Sequence, residues 1–185
     1  MAKYIPKFQL IWAEDSQNGI GKNGTLPWNL PKEMAHFKKT TMEVSSPDKM
    51  NMVIMGKKSY DSIPAKFRPL AKRFNVVLSR TLAELDEGNL MITNSLDKVI
   101  KKLAEDIQFR ESIEHVFVIG GRQIYNEVLL TPFVDKLIVT KIRSSFDCDV
   151  IFPDFARENF AKISQNEEVV NEKGIEYSIE YYQKQ

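Results

Sequence analysis

The sequence of 185 residues holds a single cysteine, Cys148. That excludes an intramolecular disulfide framework and a cysteine-built zinc cage, and it fits a reducing compartment. The two histidines, His36 and His115, are too few and too far apart to suggest a metal site, and nothing forms a Ser/His/Asp pattern. Both read as structural. An excess of one charge is also missing: Lys+Arg 26 against Asp+Glu 25 leaves +1, so there is no global footprint for nucleic acid or an anionic membrane. Local clusters must carry any anion binding. No run reaches membrane-spanning length, and the opening stretch Met1 to Pro6 lacks the apolar core of a signal peptide, which predicts a soluble, cytoplasmic protein. Repeats and low-complexity tracts are absent, and Glu43 to Lys49 reads as a surface loop, so one domain over residues 1–185 is expected.

What is present is an alternation of short Val/Ile-rich runs with helical patterns, which predicts an α/β layer architecture. The strands fall at Phe8 to Ala13, Met52 to Met55, Asn75 to Ser79, Leu90 to Ile92, Val116 to Ile119 and Lys136 to Ile142. Several are apolar at successive positions, as central strands covered on both faces are. Helices are predicted over about Pro31 to Thr41, Lys57 to Ser62, Leu96 to Glu105 and Arg122 to Leu130. Leu96, Val99, Ile100 and Leu103 repeat at helical spacing behind a Ser95 N-cap. Phe160 to Val169 and Ile175 to Tyr182 alternate around Asn171 to Gly174, which predicts a C-terminal antiparallel hairpin on a mixed sheet.

One acidic residue, Glu33, interrupts the apolar stripe of Leu30, Met34 and Phe37. A carboxylate on a buried helix face needs a partner or a shifted pKa, and it can hold an amidine-like heterocycle by two parallel hydrogen bonds. The stretch before it, with Gly19, Gly21 and Gly24 leading to Pro27 and Trp28, lets backbone lie close over a flat ligand. Gly56, Lys57, Lys58 and Ser59 follow one strand, Ser79 and Arg80 a second, and Gly120 and Gly121 a third. Cations, hydroxyls and bare amides at equivalent strand ends point to an extended cofactor with several phosphates. Arg68 and Arg73 flank Pro69-Leu70, and either could clamp a ligand carboxylate.

These blocks together resemble dihydrofolate reductase over nearly the full chain. The matching segments are Leu10-Ile11-Trp12-Ala13, the loop from Gly19-Ile20-Gly21 to Leu26-Pro27-Trp28, Glu33 with Phe37, and Val53 to Ser59. They continue with Arg68-Pro69-Leu70, Asn75 to Arg80, Ile119-Gly120-Gly121 with Tyr125, Thr140, and Phe152-Pro153. The resemblance implies a three-layer sandwich with a central eight-stranded, mostly parallel mixed sheet, flanking helices and the C-terminal hairpin. It implies NADPH-dependent reduction of 7,8-dihydrofolate by hydride transfer from nicotinamide C4 to pterin C6, with a proton delivered to N5.

By that resemblance Glu33 binds the pterin amino group and ring nitrogen with Thr140 behind it, and Leu26 and Trp28 complete the catalytic set. Ile11, Met34, Phe37, Ile63, Leu70 and Ile119 wall the folate, and Arg73 grips its tail carboxylate. For NADPH it implies Ala13, Ile20 and Gly21 by the nicotinamide, with Gly56, Lys57, Lys58 and Ser59 on the diphosphate and adenosine portion. Leu78, Ser79 and Arg80 lie at the 2′-phosphate, and Gly120, Gly121, Arg122, Gln123, Ile124 and Tyr125 along the bridge, with the Gly120–Gly121 bond cis. Water admitted by the loop is the implied immediate proton donor. Antifolates are implied ligands, no metal is, and a monomer is expected. Glutamate at the acid position and the Glu43 to Asn51 connection are of animal type, whereas Trp12 and Pro31-Lys32-Glu33 have a bacterial look. A pyrimidine reductase of riboflavin synthesis and a noncatalytic nucleotide-binding protein are the alternatives; Glu33, Arg73 and the Pro27-Trp28 loop favour folate.

Overall fold

The computed structural model describes residues 4–154 and 157–185, so the first three residues of the opening stretch lie outside it. In chain order the elements are β1 (Phe8–Glu14), β2 (Gly19–Gly21), α1 (Pro31–Met42), β3 (Met50–Gly56), α2 (Lys57–Ser62), β4 (Arg73–Leu78), β5 (Leu85–Glu87) and β6 (Leu90–Thr93). Then follow α3 (Leu96–Glu105), α4 (Ile107–Ser112), β7 (Ile113–Gly120), α5 (Arg122–Leu129), β8 (Val134–Ile142), β9 (Val150–Ile151), β10 (Phe160–Lys162), β11 (Val170–Glu172) and β12 (Ile175–Lys184). The main sheet runs β10-β12-β8-β1-β7-β3-β4-β6-β5, with β11 also on β12. Its interior is parallel, and β12 closes one side antiparallel to β8. Eight positions from β10 to β6 match the expected sheet, and the exposed three-residue β5 extends it.

Successive side chains of β1 point to opposite faces. Leu10 and Trp12 join one core with Ile54, Val76 and Val118, covered by Val99 and Leu103 of α3 and Val128 of α5. Ile11 joins the other with Val53, Met55, Val77 and Phe117. That second face is flanked by the half-buried Phe37, Tyr60, Ile63, Leu70 and Ile119, leaving apolar surface available to a ligand. No helix of the described residues is long and apolar enough to cross a membrane.

The C-terminal hairpin forms with a tighter turn than expected. Its loop is Lys173-Gly174, both at positive φ, and the stretch after Phe160 is not one strand: β10 and β11 pair separately with β12. A two-residue turn with both residues at positive φ matches the twist of the strands it joins. The short α4 escapes periodicity because it has little more than one turn, held by Asp106 accepting from Phe109 N–H at 3.0 Å. The pairing of β2 with β9 is likewise invisible locally, since it brings together segments about 130 residues apart.

Behind β1 lies a buried charge. Glu14 is fully buried and accepts from Trp12 Nε1 at 2.9 Å, from Lys141 Nζ at 2.5 Å, and from both terminal nitrogens of Arg157. The Arg157 guanidinium also lies over Phe152, which stacks on Trp12 at 3.8 Å. One side-chain network thereby joins β1, β8 and the segment following β9.

Candidate active site

Pro31 opens α1 and places Glu33 in its first turn, where a negative charge is favoured by the helix dipole. Glu33 is only 7% exposed, and its Oε1 accepts from Thr140 Oγ1 on β8 at 2.9 Å. Burial pushes its carboxyl above the ordinary range, the Thr140 hydrogen bond opposes this, and the charge of Glu172 adds to it. Among the described residues no cation pairs with it. The carboxylate lines a cleft of about 350 Å³ with Leu26, Trp28, Asn29, Leu30, Pro31 and Met34. Trp28 packs edge-on against Phe146, and its buried indole N–H has no acceptor. A second groove of about 440 Å³ runs along Lys98 and Lys102, which form surface ion pairs with Glu84 and Asp86.

Met34 departs from expectation: it is 49% exposed at the cleft rim instead of lying in a buried stripe. The inward face of α1 carries Glu33, Phe37 and Thr41, with Glu33 and Thr41 its only buried residues. Spacing at i, i+4 and i+8 turns Met34 about 100° away from that face.

At the far end of this face lies Arg73, 4% exposed on β4. Its Nη1 donates to Thr41 Oγ1 at 3.0 Å and its Nε to the Ala71 carbonyl at 3.0 Å. It has no acidic partner among the described residues. Arg68, by contrast, lies over the Tyr60 ring and approaches Asp61 at 3.5 Å. Geometry therefore separates the two arginines that spacing left open. Glu33 and the Thr41 that Arg73 contacts are about 12 Å apart along α1, so a buried carboxyl and a buried guanidinium, neither with an oppositely charged partner among the described residues, bracket a face on which Phe37, Ile63 and Leu70 pack.

The strand ends converge as well. A side chain at Gly120, whose φ is +128, would meet Ser59 Oγ at 3.3 Å and the Tyr125 hydroxyl at 3.4 Å, so the turns after β3 and β7 touch through bare backbone. The Gly120–Gly121 peptide is cis. Gly121 precedes α5 without any side-chain cap, leaving exposed amides beside Arg122 and Gln123, while Ile124 packs into the core and on Gly56. Tyr125 donates its hydroxyl to the Ile11 carbonyl at 3.0 Å. Lys57 is drawn to Asp61 at 2.5 Å, leaving Lys58 the exposed cation of that turn. Leu78 and Ser79 are buried, the Ser79 hydroxyl accepts from Thr81 and Leu82 N–H, and Arg80 projects outward.

The glycine loop is shaped mainly by its own contacts. A Cβ at Gly19 would stand 2.4 Å from Cys148 Cβ, so this glycine is required by packing against the segment before β9, not by a ligand. Asp15 Oδ1 accepts from Gln17 and Gly19 N–H and its Oδ2 from Phe146 N–H. Ile20 and Ala13 pack into neighbouring apolar clusters, Gly21 pairs with Val150, and Leu26 stays 46% exposed at the cleft mouth.

Glu172 is a site neighbour that the pattern did not flag, because its segment reads as part of the hairpin turn. It is buried at the end of β11 and accepts from Lys32 N–H at 2.8 Å. No apolar alternation marks it, since the buried position of Val170-Asn171-Glu172 is the charged one; the pairing of β11 with β12 is what puts it there.

Comparison with known proteins identifies the family. The family model described as dihydrofolate reductase matches residues 7–184. A dihydrofolate reductase of Heliothis virescens is 42% identical over 95% of this chain and 94% of that protein. The Sus scrofa enzyme is 41% identical over 91% and 94%. The solved structure of Schistosoma mansoni dihydrofolate reductase superposes with a TM-score of 0.84 at 30% identity, covering 98% of this chain and all of that one. With a family-model match over residues 7–184 and a shared overall architecture, the chain belongs to the dihydrofolate reductase family.

Proposed function

We propose that this chain catalyses the NADPH-dependent reduction of 7,8-dihydrofolate to 5,6,7,8-tetrahydrofolate. The observation that carries the reading is the pair of uncompensated buried charges, Glu33 and Arg73, at the two ends of one apolar face. Dihydrofolate has the complementary order: an amino-pyrimidine edge with two N–H donors, an aromatic middle, and a carboxylate tail. Glu33 receives the pterin edge by two charge-assisted hydrogen bonds while Thr140 fixes the carboxylate's rotamer. Ile11, Phe37, Ile63, Leu70 and Ile119 hold the rings, Met34 and Leu26 border the mouth, and Arg73 takes the tail carboxylate. The orphaned Trp28 N–H supplies a donor for a bound water beside the pterin.

The strand-end cradle fits NADPH. Close backbone at Gly120 and Gly121, uncapped amides at α5, exposed Lys58 and outward Arg80 offer donors and positive charge over an extended surface. When bound, the cofactor supplies the hydride delivered to pterin C6. The protein's share is position and electrostatics: Glu33 orients and polarises the pterin, and the Ile20 to Leu26 loop shields the reacting faces from bulk water. The proton for N5 comes through water, since Glu33 sits on the opposite edge of the ring. Antifolates carrying the same amino-pyrimidine edge occupy the same cleft.

The chain is proposed to act as a monomeric single domain in the cytoplasm and not on nucleic acid, supported by its balanced charge of +1. The test is oxidation of NADPH followed by absorbance with and without dihydrofolate. Oxidation that requires dihydrofolate is expected, and none, with NADPH still binding, refutes the activity. Arg80→Ala is expected to weaken NADPH about tenfold or more, the loss of one charge-assisted contact, while NADH binding stays nearly constant. Equal losses for both would remove Arg80 from the 2′-phosphate site.

A further inference from the structure

We infer that Glu172 is a positioning residue for the acid site, tying the start of α1 to the C-terminal hairpin and placing a second buried negative charge beside Glu33. For what Glu33 does, this rests on the dihydrofolate reading above; for what Glu172 does to Glu33, it does not.

The first turn of any helix carries backbone N–H groups without intrahelical acceptors. Leu30, at the N-cap of α1, offers no side-chain oxygen to them. Glu172 supplies the acceptor from 140 residues away: its Oε2 takes the Lys32 N–H at 2.8 Å, and its Oε1 takes the Tyr177 hydroxyl at 3.2 Å. Lys32 immediately precedes Glu33, so this bond holds the turn that aims the Glu33 carboxylate into the cleft. The tight Lys173-Gly174 turn and the pairing of Glu172 with Ile175 fix the carboxylate on its own side.

The groups surrounding the two carboxylates are few. Thr140 faces Glu33 from β8, Tyr177 faces Glu172 from β12, and α1 itself contributes Lys32 through its backbone. Neither carboxylate has a cationic side chain in contact among the described residues. The Tyr177 phenol registers both charges: burial first, then Glu172 by charge and hydrogen bond, then Glu33 by charge, push it up to about 12. The charge of Glu172 works against ionisation of Glu33, adding to the effect of burial. A ligand that brings N–H donors to Glu33 relieves that repulsion, so Glu172 strengthens selection for a donor-rich or protonated ring edge.

The test is Glu172→Gln, which preserves shape and an acceptor for Lys32 N–H but removes the charge. With 13C-labelled glutamate carboxyls, the Glu33 resonance is assigned by its loss in Glu33→Gln and titrated by NMR. Its midpoint is expected to fall by roughly half a unit to one unit, and the pH profile of kcat/KM for dihydrofolate is expected to move the same way. An unchanged midpoint in folded Glu172→Gln overturns the electrostatic claim. Glu172→Ala, lacking the acceptor, is expected to raise KM for dihydrofolate several-fold more than Glu172→Gln while NADPH affinity is retained; equal KM values overturn the anchoring claim. Should Glu172→Ala not fold, Glu172→Asp decides: a raised KM with a wild-type Glu33 midpoint supports anchoring, and a wild-type KM overturns it. The titration needs no turnover, so a protein inactive on dihydrofolate would refute the proposed function while leaving the effect of Glu172 on Glu33 measurable.

Discussion

Glu33→Gln is expected to cut turnover about 100-fold or more, equivalent to roughly 3 kcal/mol of transition-state stabilisation, while NADPH affinity changes little. The amide keeps the size of the side chain and can still accept from Thr140. It cannot present two anionic acceptors to the pterin edge, so the ring loses both its orientation and the polarisation that favours protonation at N5. The same substitution is expected to leave the fold at least as stable at neutral pH. Burial, together with Glu172, raises the Glu33 carboxyl above its unfolded value. The folded state therefore holds this proton more tightly than the unfolded chain. The sign follows: above the unfolded pKa the wild-type protein progressively loses stability as pH rises through the folded pKa, and glutamine removes that dependence. Urea denaturation at pH 5 and pH 8 checks it. A wild-type protein more stable than Glu33→Gln at pH 8 would mean that the carboxylate is compensated; unchanged turnover would make it a bystander to the chemistry.

Glu14 is expected to behave in the opposite sense. Burial alone would raise its carboxyl, but Arg157, Lys141 and Trp12 bind the charged form and hold it below the ordinary range. Its stabilising contribution is therefore present above the unfolded pKa and is lost as pH falls through the folded one. Arg157→Ala leaves a fully buried carboxylate with Lys141 as its remaining cation, and removes the guanidinium packed over Phe152 and Trp12. A cost of about 3 kcal/mol is expected for stranding such a charge, read as a lower urea midpoint at neutral pH. The double variant Glu14→Gln/Arg157→Met is expected to recover most of that loss, because the buried charge is gone while the amide oxygen still accepts from Trp12 Nε1. No recovery would place the effect in the packing of Arg157 and not in the charge it neutralises.

The two carboxylates show how far the pattern of residues reaches. Glu33 stands out because it occupies a helix face where periodicity demands an apolar residue. Glu14 does not stand out, since in a short strand one polar residue is ordinary alternation, and only the approach of Lys141 and Arg157 makes it a buried ion cluster. Met34 illustrates the converse. Its apolar character fits the stripe, yet the inward face is Glu33, Phe37 and Thr41, and Met34 stands at the rim of the cleft that Glu33 lines.

The strand runs, the covering helices and the glycine-opened turns at strand ends follow from local periodicity and backbone freedom, which neighbouring residues dictate. Those features place the sheet and nominate Glu33, the strand-end cations and a pair of arginines. The choice of Arg73 over Arg68, the support of Glu33 by Thr140, the cap supplied by Glu172 and the docking of the glycine loop on β9 all join residues far apart in the chain. Compensation of a buried charge depends on which atoms surround it in three dimensions, and no local pattern records that. The sequence by itself therefore determined the layers and the chemistry available, and the tertiary structure decided which of the buried charges remain uncompensated.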